Sequence, residues 1–276
     1  MGFEQPQTLQ AALDALKTHP FQILAGGTDV FPAAKPGQMA QAILDVTRID
    51  GLRSVVKENG VTRIGAATTW TDIVQADLPD AFSALKEAAR EVGSLQIQNA
   101  GTVAGNICNA SPAADGVPAL LALNAQIEIA SAARGTRILA LSDFILGVRK
   151  TALAADEMVT ALLVPDQPTG TQSAFEKLGG RRYLVISICM TAANVLLDNQ
   201  GRISQAWIAV GSCSAIAQRL FTLETDLVGV RPQDVHINPA HLSPLAPIDD
   251  VRGSGAYRLD AVQEQCERAI KRAGNR

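Results

Sequence analysis

The chain has 276 residues, of which 47% are apolar and 18% are charged, and its formal net charge is −3. The apolar content excludes disorder, collagen and a long coiled coil, and the charge excludes a basic surface for nucleic acid. Because charged residues usually make up ~25% of a globular protein, the shortage indicates exposed apolar surface or surface that faces a partner. At ~150 residues per domain, the length predicts about two domains.

The N-terminal segment MGFEQPQTLQ has no cationic start followed by an apolar run, and no stretch of 18 apolar residues occurs elsewhere. These features predict a protein without a signal peptide and without membrane insertion. We therefore expect it in the cytoplasm.

The cysteines are scattered at positions 108, 189, 213 and 266, and none lies in a close pair. Iron–sulfur and zinc sites usually take two ligands from one short stretch, so we expect buried free thiols and no metal site. The histidines, at positions 19, 236 and 241, are predicted to lie in surface loops. No residue type or spacing identifies a catalytic group.

The first half of the chain alternates short helical and strand patterns. Thr8 is suited to cap a helix with Leu9, Ala12, Leu13 and Leu16 on one face. Further on, the patterns predict strands over 21–24 and 41–46, a hairpin turning at Asn59-Gly60, a helix opening at Thr71 or Asp72, and a helix over 80–92.

The second half is richer in strand patterns. A short helix (VPALLAL) and a strand (AQIEIAS) precede strands that end near Pro165, and residues 166–172 have the composition of a linker. Two long β-like runs then flank Asn199-Gln200-Gly201, and a helix is predicted from Tyr257 to Arg272. Mixed helices and strands on both sides of the linker predict an α+β fold.

A first segment with chemical meaning is Ala25-Gly26-Gly27-Thr28-Asp29, which follows a predicted strand. Glycine permits a positive φ and lets an anion approach backbone N–H groups. A helix beginning near Thr28 or Asp29 would add its positive end, so the segment outlines a pyrophosphate site. A plain strand-to-helix turn fits these five residues equally well.

A second segment, residues 93–115, is poor in charge and rich in Gly, Asn, Ser and Thr. Such a run does not build a core by itself, but its amides and hydroxyls suit a large polar ligand. Asp115 at its end is a candidate acceptor for ribose hydroxyls, as in other dinucleotide sites. The alternative is a structural Ω-loop.

Four motifs together resemble those of the FAD-binding medium subunit of the molybdenum hydroxylases, the family of xanthine dehydrogenase, aldehyde oxidoreductase and carbon monoxide dehydrogenase. They are Ala25 to Val30, Thr102 to Asp115, the set Phe175, Lys177, Gly179 and Arg181, and the set Asp250, Arg252, Gly253, Ser254, Tyr257 and Arg258. One departure is Ala104, where the family usually has glycine. Its methyl group would tilt a backbone N–H or narrow the approach to phosphate, and binding is expected to survive in weakened form.

The resemblance implies a two-lobed FAD-binding domain of the PCMH type over residues 1–167, followed by a small α+β domain over 173–276. The lobes would divide near residue 52. The residues implied in FAD binding are Ile23, Leu24, Ala25, Gly26, Gly27, Thr28, Asp29, Val30, Ala67, Thr68, Ile97, Gly101, Thr102, Ala104, Gly105, Asn106, Asn109, Ser111, Ala114, Asp115, Val159, Lys177 and Tyr183.

Roles within this set also follow from the resemblance. Residues 23–30 would hold the pyrophosphate, and Val159 and Lys177 would lie near the isoalloxazine, where a cation stabilises the reduced flavin. The alternative to this role is that Lys177 is an ordinary surface lysine. Tyr183 would either stack near the ring or only pack. The FAD is expected to be non-covalent, since the glycine segments contain no histidine.

The implied activity is electron transfer. The family's small subunit carries [2Fe–2S] clusters and its large subunit carries molybdopterin, so this chain would pass electrons from a partner's clusters through FAD to NAD, oxygen or a quinone. The expected assembly is a dimer of heterotrimers. Two alternatives are a stand-alone FAD-dependent oxidoreductase, which needs a Tyr or His base near the flavin, and a nucleotide-binding scaffold without redox turnover.

Overall fold

A computed structural model of the chain describes residues 2–34 and 42–276. The N-terminal lobe contains β1 (Phe3–Glu4), α1 (Leu9–Thr18), β2 (Phe21–Leu24), α2 (Val30–Ala33) and β3 (Ala42–Asp45). Its sheet is parallel, with the order β1-β3-β2. The predicted cap at Thr8 is confirmed, because its side chain accepts a hydrogen bond from the backbone N–H of Ala11. The predicted strand at 41–46 is observed as β3, and its residue 41 lies outside the described residues.

The middle of the chain contains five strands of one antiparallel sheet, in the order β4-β5-β10-β6-β7, together with helices α3 to α8 and a small hairpin. The elements are β4 (Val55–Glu58), β5 (Val61–Gly65), α3 (Trp70–Gln75), α4 (Ser83–Glu91), α5 (Leu95–Ala100), α6 (Val103–Cys108), α7 (Gly116–Ala122), β6 (Gln126–Ser131), β7 (Gly135–Ala140), α8 (Leu141–Phe144), β8 (Ile145–Gly147), β9 (Lys150–Thr151) and β10 (Met158–Pro165).

Turn and cap residues explain two of these boundaries. Asn59 and Gly60 both have positive φ, as a type I′ turn requires, which confirms the predicted hairpin between β4 and β5. Helix α3 begins earlier than the predicted Thr71 or Asp72. Thr69 caps it and Asp72 accepts from the backbone N–H of Thr69, so a capping box sets the start.

The segment 93–115 forms two short helices, α5 and α6, instead of an Ω-loop. Although the segment is rich in Gly, Asn, Ser and Thr, Val103 and Ile107 are fully buried in the main core beside Ala104. Leu95 in the same segment is exposed, and the Gln98 amide is buried against the carbonyl oxygens of Arg90 and Val92. The segment contributes to a core that is built mainly by other elements. Its residue composition alone does not show this contribution.

The C-terminal part is an antiparallel meander with the order β11-β12-β13-β14, followed by helices. Its elements are β11 (Gln172–Leu178), β12 (Cys189–Leu197), β13 (Ile203–Gly211), β14 (Gln218–Arg219), α9 (Phe221–Asp226) and α10 (Gly255–Gly274). Helix α10 is longer than the predicted 257–272 because Ser254 caps it. Two antiparallel sheets with helices packed on them, beside the small parallel sheet of the N-terminal lobe, confirm the α+β class.

The meander is packed on both faces. Helix α10 covers one face, with Val262, Cys266 and Ile270 buried in that core. The other face packs on α4 and α7, so Phe175 and Met190 belong to the same core as the middle sheet. We propose that the domain boundary lies in residues 166–172, between β10 and β11.

The C-terminal motif has a structural explanation. Arg258 on α10 is buried, pairs with Asp250 at 2.6 Å and donates to the carbonyl oxygens of Ile188 and Ser212. Ser254 caps the same helix. The motif thus anchors α10 to the ends of β12 and β13.

Two sequence expectations about Cys and His have different outcomes. Cys189, Cys213 and Cys266 are free and buried, as predicted, whereas Cys108 is free but only half-buried. Among the described residues, no group of Cys, His and acidic side chains is arranged to hold a metal. The prediction for His241 is wrong, because this side chain is 4% exposed and closes a capping box with Asn238. Among residues 2–34 and 42–276, no helix has both the length and the hydropathy to cross a membrane.

Candidate functional site

One large cavity, of about 760 Å³, lies between the N-terminal lobe, the α5–α6 segment and the loop that joins β11 to β12. Its size falls in the usual range for small-molecule and cofactor sites, about 300–1,000 Å³. The residues predicted from the sequence that line it are Ile23, Ala25, Gly26, Gly27, Thr28, Asp29, Val30, Ile97, Gly101, Thr102, Ala104, Gly105, Asn106, Asn109, Ser111, Ala114, Asp115 and Val159. The fold thus gathers segments from both lobes around one space.

Five predicted residues do not line this cavity. Leu24 is buried in β2, and Ala67 and Thr68 are buried after β5, where the Thr68 hydroxyl donates to the carbonyl oxygen of Ser54. Lys177 lies behind Asp115. Tyr183 is 67% exposed.

The glycine loop between β2 and α2 makes a close backbone contact with the end of α5. A Cβ atom on Gly26 would lie 1.8 Å from the carbonyl oxygen of Ala100, so only glycine fits there. Gly27 has a φ of +68°. Helix α2 has four residues, so any electrostatic contribution from its N-terminus is smaller than that of a long helix.

The wall continues from the end of α5 to the N-terminus of α6. The Thr102 hydroxyl accepts from the backbone N–H of Gly105 at 3.0 Å, and the backbone N–H of Val103 donates to the carbonyl oxygen of Thr68 at 3.0 Å. These contacts hold α6 against the region after β5. Ala104 is buried in the core beneath the same wall.

The polar groups of the lining provide the test of whether the cavity suits a polar cofactor. Thr28, Asn109 and Ser111 bring hydroxyl and amide groups to it. Asn106 also lines the cavity, but its side-chain oxygen Oδ1 is buried beside Gly116 and is not exposed to the cavity. A cofactor rich in hydroxyls and phosphate oxygens needs such donors and acceptors, so the cavity fits a polar cofactor such as FAD.

A buried ion pair joins the cavity wall to the C-terminal meander. The Lys177 ammonium on β11 donates to Asp115 Oδ2 at 2.8 Å and to the carbonyl oxygen of Glu91 at 3.0 Å, while the Ser187 hydroxyl donates to Asp115 Oδ1 at 2.6 Å. Burial raises the pKa of the Asp115 carboxyl, although Lys177 and Ser187 favour its charged form. Asp115 thus has two partners before any ligand binds.

A second carboxylate in the wall, Glu157, has its own cationic partners. It accepts two hydrogen bonds from Arg137, at 2.8 and 2.7 Å, and one from the backbone N–H of Ala154 at 2.9 Å. The hydrogen bonds from Arg137 lower the pKa of the Glu157 carboxyl, with smaller help from Ala154 and Arg134. This cluster fixes the loop that precedes β10.

We expect Glu157→Gln to be less stable than the wild type at neutral pH, with the difference disappearing in acid. A carboxyl whose pKa is lowered by folding stabilises the fold above its unfolded pKa, and this stabilisation is lost as the pH falls through the folded pKa. Thermal melts between about pH 7 and about pH 3 measure the difference. Glu58→Gln, at an exposed position of β4, is the control and should follow the wild type. A constant deficit for Glu157→Gln at every pH would contradict the prediction.

Sequence reasoning missed several lining residues. Leu184, Val185 and Ile186 come from the β11–β12 loop, and Arg149 comes from the turn between β8 and β9. The apolar end of the cavity adds Leu16, Phe21, Val46 and Met158. Only Arg149 had a local signal, as a cation two residues after Gly147 in a short hairpin, and the others look like ordinary core or loop residues.

The cavity has no evident catalytic base among its described lining residues. Neither tyrosine and none of the three histidines lines it. Cys108 does, but burial raises the pKa of its thiol to about 12, so it is not a thiolate nucleophile at neutral pH. The stand-alone oxidoreductase considered above therefore lacks the base it requires in the described part of the site.

Comparisons with known proteins agree with these features. Residues 1–167 match the family model of the FAD binding domain in molybdopterin dehydrogenase, and residues 173–273 match that of the CO dehydrogenase flavoprotein C-terminal domain. The chain is 34% identical to the nicotinate dehydrogenase FAD-subunit of Eubacterium barkeri, over 82% of this chain and 79% of the relative. It is 31% identical to the xanthine dehydrogenase FAD-binding subunit of Escherichia coli O157:H7, over 99% and 95%.

Among solved structures, the chain resembles one from reconstituted CO dehydrogenase of Oligotropha carboxidovorans. The TM-score is 0.91 at 25% sequence identity, and the match covers 100% of this chain and 98% of the other. Both the lobes and the C-terminal meander thus have counterparts in one known chain.

Proposed function

The chain belongs to the family of FAD-binding subunits of molybdopterin dehydrogenases, and from this membership we propose that it is the FAD-carrying electron-transfer subunit of a multi-subunit molybdenum hydroxylase. The observation that supports this most directly is that both glycine-containing segments line one large cavity of the described structure, with hydroxyl and amide side chains in its wall. The space suits an elongated dinucleotide whose polar groups need many hydrogen-bond donors and acceptors.

Residues of the two walls would have distinct tasks. Gly26 lets the loop rest on the end of α5 and Gly27 supplies its positive φ, and the loop placed in this way would present its backbone N–H groups to the pyrophosphate. The walls around Asn106 and Asp115 would supply partners for hydroxyl groups. Ile97, Val159 and the β11–β12 loop provide apolar surface that excludes water. When bound, FAD would supply transfer of one or two electrons.

The partners follow from the same membership. We propose that a small subunit with [2Fe–2S] clusters and a large subunit with molybdopterin complete the enzyme, as a cytoplasmic dimer of heterotrimers. Surface on this chain supports such contacts, because apolar side chains such as Val251, Ile248 and Leu95 are highly exposed. They account in part for the low share of charged residues.

Purified protein should bind FAD at one per chain and show the visible absorption of a flavin. Reconstitution with FAD after unfolding and refolding, followed by gel filtration, measures this stoichiometry. Co-expression with the two expected partners should give a complex in which substrate turnover at the molybdenum subunit bleaches the flavin band. Protein that takes up no FAD would refute the cofactor assignment, and a FAD-loaded chain that accepts no electrons in the complex would refute the electron-transfer role.

A further inference from the structure

The turn between β8 and β9 places one arginine in an unusual backbone conformation beside the cavity. Arg149 has a φ of +57°, in the left-handed region that disfavours residues other than glycine. Its backbone N–H donates to the carbonyl oxygen of Ala110 at 2.9 Å. The hairpin is therefore docked on the residues that follow α6, and its arginine lines the cavity.

The guanidinium of Arg149 contacts neutral groups. It donates to the carbonyl oxygen of Asn109 at 3.2 Å and to the side-chain oxygen of the same residue. The Asn109 side-chain N–H in turn donates to Asp29 Oδ1 at 2.7 Å, just after the glycine loop. A row of polar groups thus runs from the loop proposed to hold pyrophosphate to the guanidinium.

The charges around the cavity make this arginine distinctive. The charged side chains that line the described cavity are Asp29, Asp115, Glu157 and Arg149. Asp115 pairs with Lys177 and Glu157 pairs with Arg137. Within residues 2–34 and 42–276, Arg149 is the basic residue of the lining and forms no ion pair. Asp29 has no cationic partner among the described residues either, and Asn109 lies between its carboxylate and the Arg149 guanidinium. Arg149 is therefore the one cation that the described lining offers to an anionic ligand.

We propose that Arg149 binds the phosphate groups of the cofactor and so raises the affinity of the chain for a dinucleotide. The inference rests on the proposed function. Guanidinium forms strong, directional, charge-assisted hydrogen bonds to phosphate oxygens. Asn109 holds the guanidinium next to the glycine loop, and the strained turn fixes the hairpin that carries it. When the cofactor binds, its charged phosphate oxygens would replace the neutral oxygens of Asn109 as acceptors for the guanidinium.

The test uses Arg149→Gly, because glycine adopts a positive φ without strain and so keeps the turn while removing the guanidinium. We expect FAD affinity at low salt to fall by about ten- to a hundredfold. The loss should shrink as salt rises, because screening weakens the charge contribution in the wild type. Lys150→Met is the matched control, since it removes a neighbouring exposed cation of the same hairpin that does not line the cavity.

The measurements are FAD titrations by flavin fluorescence over a range of salt concentrations, with thermal melts of the FAD-free proteins. Arg149→Gly that binds FAD within twofold of the wild type at low salt would overturn the inference. So would a loss of affinity that is the same at every salt concentration, because it would indicate a structural effect. A wild type that binds no FAD would refute the proposed function. A wild type that binds FAD together with an unaffected Arg149→Gly would refute only the role of Arg149.

Discussion

Replacing Gly26 with alanine is expected to destabilise the protein and to weaken FAD binding together. The added Cβ would lie 1.8 Å from the carbonyl oxygen of Ala100 and 2.8 Å from the backbone nitrogen of Gly101. These are backbone atoms that cannot rotate away, so the glycine loop and the end of α5 must separate. Overpacking of this kind costs about 3 kcal/mol. The same displacement opens the cavity wall, and we expect FAD affinity to fall by more than about tenfold.

Urea unfolding of the FAD-free chain and FAD titration measure the two effects. Gly180→Ala is the control, because a Cβ there meets no atom within 4 Å and its φ is not in the left-handed region. That variant should unfold and bind like the wild type. Gly26→Ala that keeps both wild-type stability and affinity would show that the loop does not rest on α5 as the structure has it.

Replacing Lys177 with methionine is expected to produce the other large effect. The change leaves the Asp115 carboxyl buried without its cation, and breaking a buried ion pair costs about 3–5 kcal/mol. Asp115→Asn together with Lys177→Met should recover part of this loss, since the double variant buries no charge. The loss of unfolding free energy in Lys177→Met should also shrink as the pH falls. Burial favours protonation of the unpaired Asp115, so the folded variant then binds a proton more readily than the unfolded chain.

Denaturant unfolding of the two single variants and the double variant, at several pH values, gives the coupling between the two residues. Lys57→Met provides the comparison, because Lys57 pairs with Asp166 at 3.2 Å on the surface. Breaking an exposed pair should cost less than about 1 kcal/mol. Equal losses for Lys57→Met and Lys177→Met would show that the Asp115–Lys177 pair contributes no more than a surface pair.

The Lys177 result also bears on flavin chemistry. The motif resemblance implies that Lys177 adjusts the charge near the isoalloxazine, whereas in the structure its ammonium group is covered by Asp115 and the carbonyl oxygen of Glu91. Its influence on a bound flavin would therefore act through Asp115. The ion pair also connects the cavity wall to β11, and Ser187 extends this connection to the loop that carries Leu184 to Ile186.

Local structure was largely readable from the sequence. Asn59-Gly60 requires positive φ at both positions and so predicts its hairpin. Thr8 supplies the oxygen that a helix start needs. The glycine loop and the Thr102 to Asp115 segment combine residue types whose close spacing already marked a polar ligand site, and both line the cavity. Each of these signals depends on neighbours within a few positions.

The tertiary structure decided which distant residues complete the cavity. Asn109 meets Asp29 across 80 residues of sequence and Lys177 meets Asp115 across 62, so no local pattern records either contact. It also decided that Arg149 faces the cavity while Tyr183 does not line it. The sequence by itself determined the family and the cofactor's chemical type through the resemblance of its four motifs. It determined the α+β class through its helix and strand patterns, because periodicity, turns and caps are local properties. The partners of each charge were decided by packing, because burial and ion pairing depend on how the sheets and helices meet.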